Sequence, residues 1–293
     1  MFLIELVNES ATRLEQAGVA FGHGTTNAFD EAAWLVLWQL GFDLGDLDGA
    51  ANVAVSREQQ DTVRELVGER IRTRKPAAYL TRQAWLQGVP FYVDERSVVP
   101  RSFIAELIAD GGIDPWLGEQ TRRVLDLCTG NGSLAVLAAM AWPDVTVDAA
   151  DISADALAVA RINVDQHGLQ DRVRLLQSDG LQSLPGPYDL ILCNPPYVNA
   201  QSMAELPAEY RAEPTLALAG GADGMDFIRV LLRDAPAHMS PQAVLVLEIG
   251  NERSHFEAAF PRLEVVWLET SAGEDQVMLV TRENLLDGMT IRK

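Results

Sequence analysis

The chain has 293 residues, 48% of them hydrophobic, with 42 Asp and Glu against 23 Lys and Arg and a formal net charge of −19. A chain of this length buries a sizeable core and is expected to form two domains, and without a long apolar run it excludes a membrane span. So acidic a surface repels a polyanion, which argues against direct nucleic-acid binding and favours a basic protein partner.

Three helices are predicted in the first part of the chain, over 3–16, 27–40 and 57–74. The first stops at Gly18. The second carries Trp34 and Trp38 four apart as core positions, and the third opens on a Ser56/Gln59 capping box and stops before Pro76. A hairpin follows from Trp85 to Tyr92 and onward to Val99, with its turn near Gly88-Val89-Pro90. The boundary falls near Arg101, giving a helical substrate-recognition domain with a hairpin over 1–100 and a cofactor-binding domain over 101–293 that opens on a linking helix over 102–110. The start, Met1-Phe2-Leu3-Ile4-Glu5, lacks the basic region of a signal peptide, so the cytoplasm is the expected compartment.

The second domain begins with a strand, Val124-Leu125-Asp126-Leu127, which runs into Cys128-Thr129-Gly130-Asn131-Gly132-Ser133 and then an apolar helix over 134–142. Gly130 and Gly132 allow close backbone approach, and the helix start supplies unpaired N–H groups suited to a carboxylate or phosphate. With Ala135 the stretch also fits Gly-x-Gly-x-x-Ala, so a nicotinamide enzyme is one reading. The next strand, over 145–150, ends at Asp151, nineteen positions beyond Gly132. A carboxylate there can accept both hydroxyls of a ribose, which NAD and S-adenosylmethionine share. Ser153 is the better cap for the helix over 154–167, which leaves Asp151 free. A third strand, over 173–177, brings Ser178 and Asp179 to the same edge, where Asp179 can meet an adenine amine.

An apolar run, Tyr188-Asp189-Leu190-Ile191-Leu192-Cys193, reads as a buried parallel strand and ends in Asn194-Pro195-Pro196-Tyr197. Two prolines remove two N–H donors and fix φ twice, so the chain leaves the sheet rigidly with its carbonyl oxygens free. Methylation of a planar nitrogen wants this trio of amide, bare carbonyl and aromatic face. The lone pair of an amide or exocyclic amine is delocalised, and the nitrogen must become tetrahedral. The Asn194 side-chain oxygen and the Pro195 carbonyl can each take one N–H and favour the pyramidal, partly positive nitrogen, while Tyr197 stacks on the planar group. Hydride transfer gives no reason for such a clamp.

Together these segments resemble a class I S-adenosylmethionine-dependent methyltransferase. The resemblance assigns Asp126, Cys128, Thr129, Gly130, Asn131 and Gly132 to the first cofactor motif, Asp151 to the ribose, Asp179 to the adenine, and Asn194, Pro195, Pro196 and Tyr197 to the clamp, with Asn194 also facing the cofactor. It implies an α/β fold with a Rossmann-like seven-stranded sheet whose last strand is antiparallel. Strands over 243–249, 263–269 and 275–281, the last two joined by Ser271-Ala272-Gly273, are compatible.

The resemblance narrows further. Lys75-Pro76-Ala77-Ala78-Tyr79-Leu80 and Glu213-Pro214 followed by Ala217-Leu218-Ala219-Gly220-Gly221-Ala222-Asp223-Gly224 are similar to segments of the protein glutamine N5-methyltransferases. One branch of that family methylates peptide-chain release factors, the other the large-subunit ribosomal protein L-three. Cys128, Val99-Pro100-Arg101-Ser102-Phe103-Ile104 and Gly22-His23-Gly24-Thr25-Thr26-Asn27 all resemble the ribosomal-protein branch. A basic ribosomal protein is therefore the implied partner, with release factor as the alternative and nucleic-acid adenine behind it, since the same clamp suits a flipped base.

The remaining features are sparse. Cys128 and Cys193 lack metal-ligand spacing and are expected to lie close together as small thiols under a cofactor. His23, His167, His238 and His255 are scattered, so no metal site is predicted, and a loop role is the default for His23. The connection over 198–219 has little periodicity and follows the clamp directly, so it is read as a mobile lid.

Overall fold

The computed structural model describes residues 1–289. Amphipathic spacing in the first part of the chain produces a bundle. Helix α1 (Leu3–Gln16) buries Leu3, Leu6, Val7 and Leu14 along one face, and α2 (Ala28–Leu40) starts where Asn27 accepts the Asp30 N–H and ends at left-handed Gly41. A single turn, α3 (Leu47–Ala50), leads to α4 (Arg57–Thr73), which opens on the expected Ser56/Gln59 capping box, and then to α5 (Ala77–Thr81). Their apolar faces share one core with Val93 and Val99. Trp34 lies in that core, edge-on to Trp85 with ring centroids 5.5 Å apart.

The hairpin is shorter than its sequence suggests. Strands β1 (Ala84–Leu86) and β2 (Val89–Phe91) are joined by Gln87 and Gly88, both at positive φ of 50° and 74°, so the turn falls earlier than Gly88-Val89-Pro90. Pairing ends at Phe91 because a side chain takes the next backbone groups. The Asn163 amide accepts from Tyr92 N–H at 2.7 Å and donates to its carbonyl at 3.0 Å.

Seven strands form the second part: β3 (Arg123–Leu127), β4 (Thr146–Asp151), β5 (Val173–Gln177), β6 (Tyr188–Cys193), β7 (Met239–Glu248), β8 (Val266–Thr270) and β9 (Gly273–Thr281). Among the described residues they lie in the order β5-β4-β3-β6-β7-β9-β8, and β9 runs antiparallel to both its neighbours. This is the α/β, Rossmann-like sheet expected of a class I methyltransferase. Helices cover both faces. On one side α6 (Ile104–Ala109), α7 (Ser133–Ala141) and α8 (Ala154–Gln166) pack with Leu190 and Leu192 of β6. The other side takes Ile191 and Cys193, from the alternate face of the same strand.

Residues 198–219 depart from the expectation of an irregular connection. They hold α9 (Ala200–Glu205), α10 (Ala208–Arg211) and a 3-10 turn at Thr215–Ala217, and a parallel bridge between Val198 and Ala219 joins their ends. Beyond this strap come α11 (Asp226–His238), α12 (Arg253–Ala259) and α13 (Arg282–Met289). Among the described residues no helix is long and apolar enough to cross a membrane.

Candidate active site

Strand order reverses between β3 and β6, whose ends pair Leu127 with Cys193. Ligands in open α/β sheets bind at that point, beyond the carboxyl ends of the strands. Two cavities open there, of about 210 and 510 Å³. Val98, Cys128, Gly130, Asn194 and Ala217 contribute to the walls of both.

The smaller cavity collects Cys128, Gly130, Asp151, Ser178, Asp179 and Pro196, with Ile152, Leu216 and Phe227 as apolar walls. Asp151 is oriented rather than free. Its Oδ2 accepts the Gly130 N–H at 2.9 Å and its Oδ1 accepts the Ser153 N–H, also at 2.9 Å, while Ser153 caps α8 as predicted. A carboxylate oxygen has room for a second donor, so the pair can still receive hydroxyls. Burial pushes the Asp151 carboxyl above its usual range, against the pull of those backbone bonds. An acid beside the apolar walls of Ile152, Leu216 and Phe227 fits a nucleoside such as that of S-adenosylmethionine.

Asp126 and Gly132, expected to touch cofactor, line neither cavity. Asp126 lies under the loop, where its Oδ2 accepts from the Thr129 hydroxyl at 2.5 Å and from Ala135 N–H in the first turn of α7 at 3.0 Å. Burial pushes this carboxyl up to about 7. It braces the loop against the helix. At Gly132, φ is +81° and an added Cβ would stand 3.0 Å from that of Ala160, so this glycine serves the approach of α8. Asn163 of α8 also donates to the Asn131 carbonyl at 2.8 Å, fastening the loop to the residue after the hairpin that it already holds.

The larger cavity gathers Thr129 and Asn131 from the loop, Asn194, Pro195 and Tyr197 from the clamp, and groups that sequence reasoning missed: Arg101, Tyr210 and Glu248. Among the described residues no hydrogen bond engages the Asn194 amide or the Pro195 carbonyl. Tyr197 is seated tightly. A Cβ at Gly250 would fall 2.5 Å from its ring and one at Gly220 2.7 Å from its Cα, and one at Gly224 would collide with its carbonyl oxygen. The family-like glycines at 220 and 224 are thus a bed for the clamp. Cys128 packs against the core that contains Cys193, and both are free thiols.

Buried charges hold the strap over this cavity. Arg101 grips Glu213 with two bonds of 2.6 and 2.7 Å, and Val99 N–H adds a third at 2.9 Å. Burial alone would raise the Glu213 carboxyl, but Arg101 and His23 overcome it and hold it at about 2. His23 is only 2% exposed, 3.5 Å from Glu213 and against the Tyr210 ring at 4.3 Å, a more specific place than the loop role expected of it. Gly22 lets Tyr210 approach its backbone. Arg70, fully buried, donates to Glu31 at 2.8 Å, Glu209 at 3.3 Å and the Ala20 carbonyl at 2.9 Å. One sequence signal was available for Glu248, a lone carboxylate ending the apolar run Val244-Leu245-Val246-Leu247. Glu209 has none, and Glu213 is marked only by its family-like segment, because their partners are more than a hundred positions away.

Known proteins resemble this chain over most of its length. A family model described as the methyltransferase small domain matches residues 115–209. The ribosomal protein uL3 glutamine methyltransferase of Bordetella pertussis is 53% identical over 286 residues, 97% of this chain and 96% of that protein. Those of Burkholderia pseudomallei and Neisseria meningitidis serogroup B are 51% and 47% identical, covering 96% of this chain and 94% and 93% of theirs. The chain belongs to this family of glutamine methyltransferases. The likeness takes in the helical bundle and the strap as well as the sheet. The fold alone reaches further, to the hMettl16 catalytic domain at 13% identity, with a TM-score of 0.52 over 80% of this chain and 84% of that one.

Proposed function

We propose that this chain methylates the N5 nitrogen of a glutamine side chain in ribosomal protein uL3, using S-adenosylmethionine bound in the smaller cavity. The observation that carries this reading is the place of Asn194, on the wall common to both cavities, with its amide and the neighbouring Pro195 carbonyl unengaged among the described residues. When bound, the cofactor supplies an electrophilic methyl group. Asp151 would receive the ribose hydroxyls, Asp179 the adenine amine, and the loop at 128–131 the methionine end.

The acceptor amide enters from the larger cavity. Asn194 Oδ1 and the Pro195 carbonyl take its two N–H bonds and hold the nitrogen where it can pyramidalise, and Tyr197 stacks on its plane. As the nitrogen gains a methyl group it sheds one proton, which a methylated amide releases without a strong base. The helical bundle over 1–100 and the strap at 198–219 would select the protein that presents the glutamine.

Two measurements test this reading. Asp151→Asn removes the charge that receives the ribose, so calorimetry should show cofactor affinity weakened by about 1.5–3 kcal/mol. Unchanged affinity would remove Asp151 from the cofactor site. Transfer of labelled methyl groups to purified uL3 should exceed transfer to release factor or DNA, and the rate should fall as salt screens an acidic enzyme from a basic substrate. Preference for release factor would overturn the substrate and leave the glutamine chemistry standing.

A further inference from the structure

We propose that Glu248 is a positioning residue that ties Tyr197 of the clamp to Ser102 and Phe103 of the linker, and so sets the two walls of the cavity that receives the glutamine. This rests on the functional reading above.

Strand β7 is apolar and buried from Val244 to Leu247, then delivers one carboxylate at its carboxyl end. Glu248 is 2% exposed, yet lines the larger cavity. Its Oε2 accepts from the Ser102 hydroxyl at 2.6 Å and from Phe103 N–H at 2.9 Å, while its Oε1 accepts from the Tyr197 hydroxyl at 3.4 Å. All three partners line that cavity too, two from the linker and one from the clamp. A buried carboxylate offers acceptors only, so these three donors suit its ionised form. The Tyr197 bond is long for O–H···O, so it is the weakest of the three. The charged and titratable groups around Glu248 are Arg101 from the linker and Tyr197 from the clamp, with Glu213 of the strap behind Arg101. Burial pushes the Glu248 carboxyl up to about 7, with Ser102, Phe103 and Arg101 pulling it down. Its charge therefore changes across neutral pH, and the alignment of Tyr197 should change with it.

The sign follows from that shift. A folded-state value above the unfolded one makes ionisation oppose folding, so stability from this group falls as pH rises from the unfolded to the folded value. Glu248→Gln should thus melt no lower than wild type at pH 8, and should bind cofactor normally. A merely structural residue would do the opposite. For uL3, its KM should rise about tenfold, the scale of one bond to a charged acceptor, with a smaller fall in kcat. The rise in kcat/KM across neutral pH should be present in wild type and missing in Glu248→Gln. Tyr197→Phe should show part of the KM defect, and the double variant should be less impaired than the two single effects combined.

Wild-type transfer to uL3 is the internal reference, and its failure would defeat the functional reading. Normal wild-type transfer combined with wild-type kinetics in Glu248→Gln, with additive defects, or with a loss that tracks unfolding would defeat the positioning role.

Discussion

Asn194→Ala should fold, bind cofactor with near wild-type affinity, and turn over roughly a hundred- to a thousandfold more slowly. Among the described residues its side chain makes no hydrogen bond, so little stability goes with it. The contact it offers is strongest when the amide nitrogen is tetrahedral and partly positive, and loss of one such preorganised group costs about 2.7–4 kcal/mol in the transition state. Single-turnover kinetics with uL3, beside calorimetry with cofactor, separate the two steps. A variant whose affinity for cofactor fell as far as its rate would make Asn194 a cofactor ligand first and a clamp second.

Arg70→Met should cost about 3–5 kcal/mol of folding stability, because it strands the buried carboxylate of Glu31 and leaves Glu209 with Arg74 alone. That is a large part of the total stability of an ordinary domain. Burial already raises the Glu31 carboxyl against the pull of Arg70, and without Arg70 it should rise further. A carboxyl whose folded value exceeds its unfolded one loses stability as pH climbs between the two. The variant should therefore lag wild type most at neutral pH and recover towards pH 5, as followed by urea midpoints. A deficit independent of pH would point to lost packing instead. Because Glu209 sits on the strap, the variant should also weaken binding of uL3.

The elements most legible in the sequence are those whose signal is local. Strands buried on both faces read as apolar runs, so β3 and β6 stand out, and the turn residues after them announce the loop at 128–132 and the clamp. Ser56 with Gln59 marks a helix start within four residues. Boundaries slipped where tertiary contacts intervene, as when the Asn163 amide ends β2 at Phe91. Helix α11 went unread although Ile228, Leu231, Leu232 and Ala235 recur at helical spacing. Asp126 was assigned to the first cofactor motif by resemblance, whereas its bonds to Thr129 and Ala135 turn it beneath the loop. Arg101, Glu213 and His23 stood in family-like segments and Glu248 at the end of an apolar run, but their pairing was unreadable because each partner lies far along the chain.

That remoteness has a consequence for how the protein is made. Arg70 and Glu209 are 139 positions apart, and Arg101 and Glu213 are 112 apart. At about 5–20 residues per second, the ribosome needs roughly 7–28 s to bring Glu209 out after Arg70. Through that interval the nascent bundle has its apolar core, but Arg70 has only Glu31 and a carbonyl to hold. The clamp, the strap and the carboxylate at the end of β7 all emerge in the last third of synthesis, since Asn194 is already two thirds of the way along 293 residues. A chain that ends early thus leaves a helical module with a core and no site, and one that finishes acquires cofactor slot, clamp and roof nearly together.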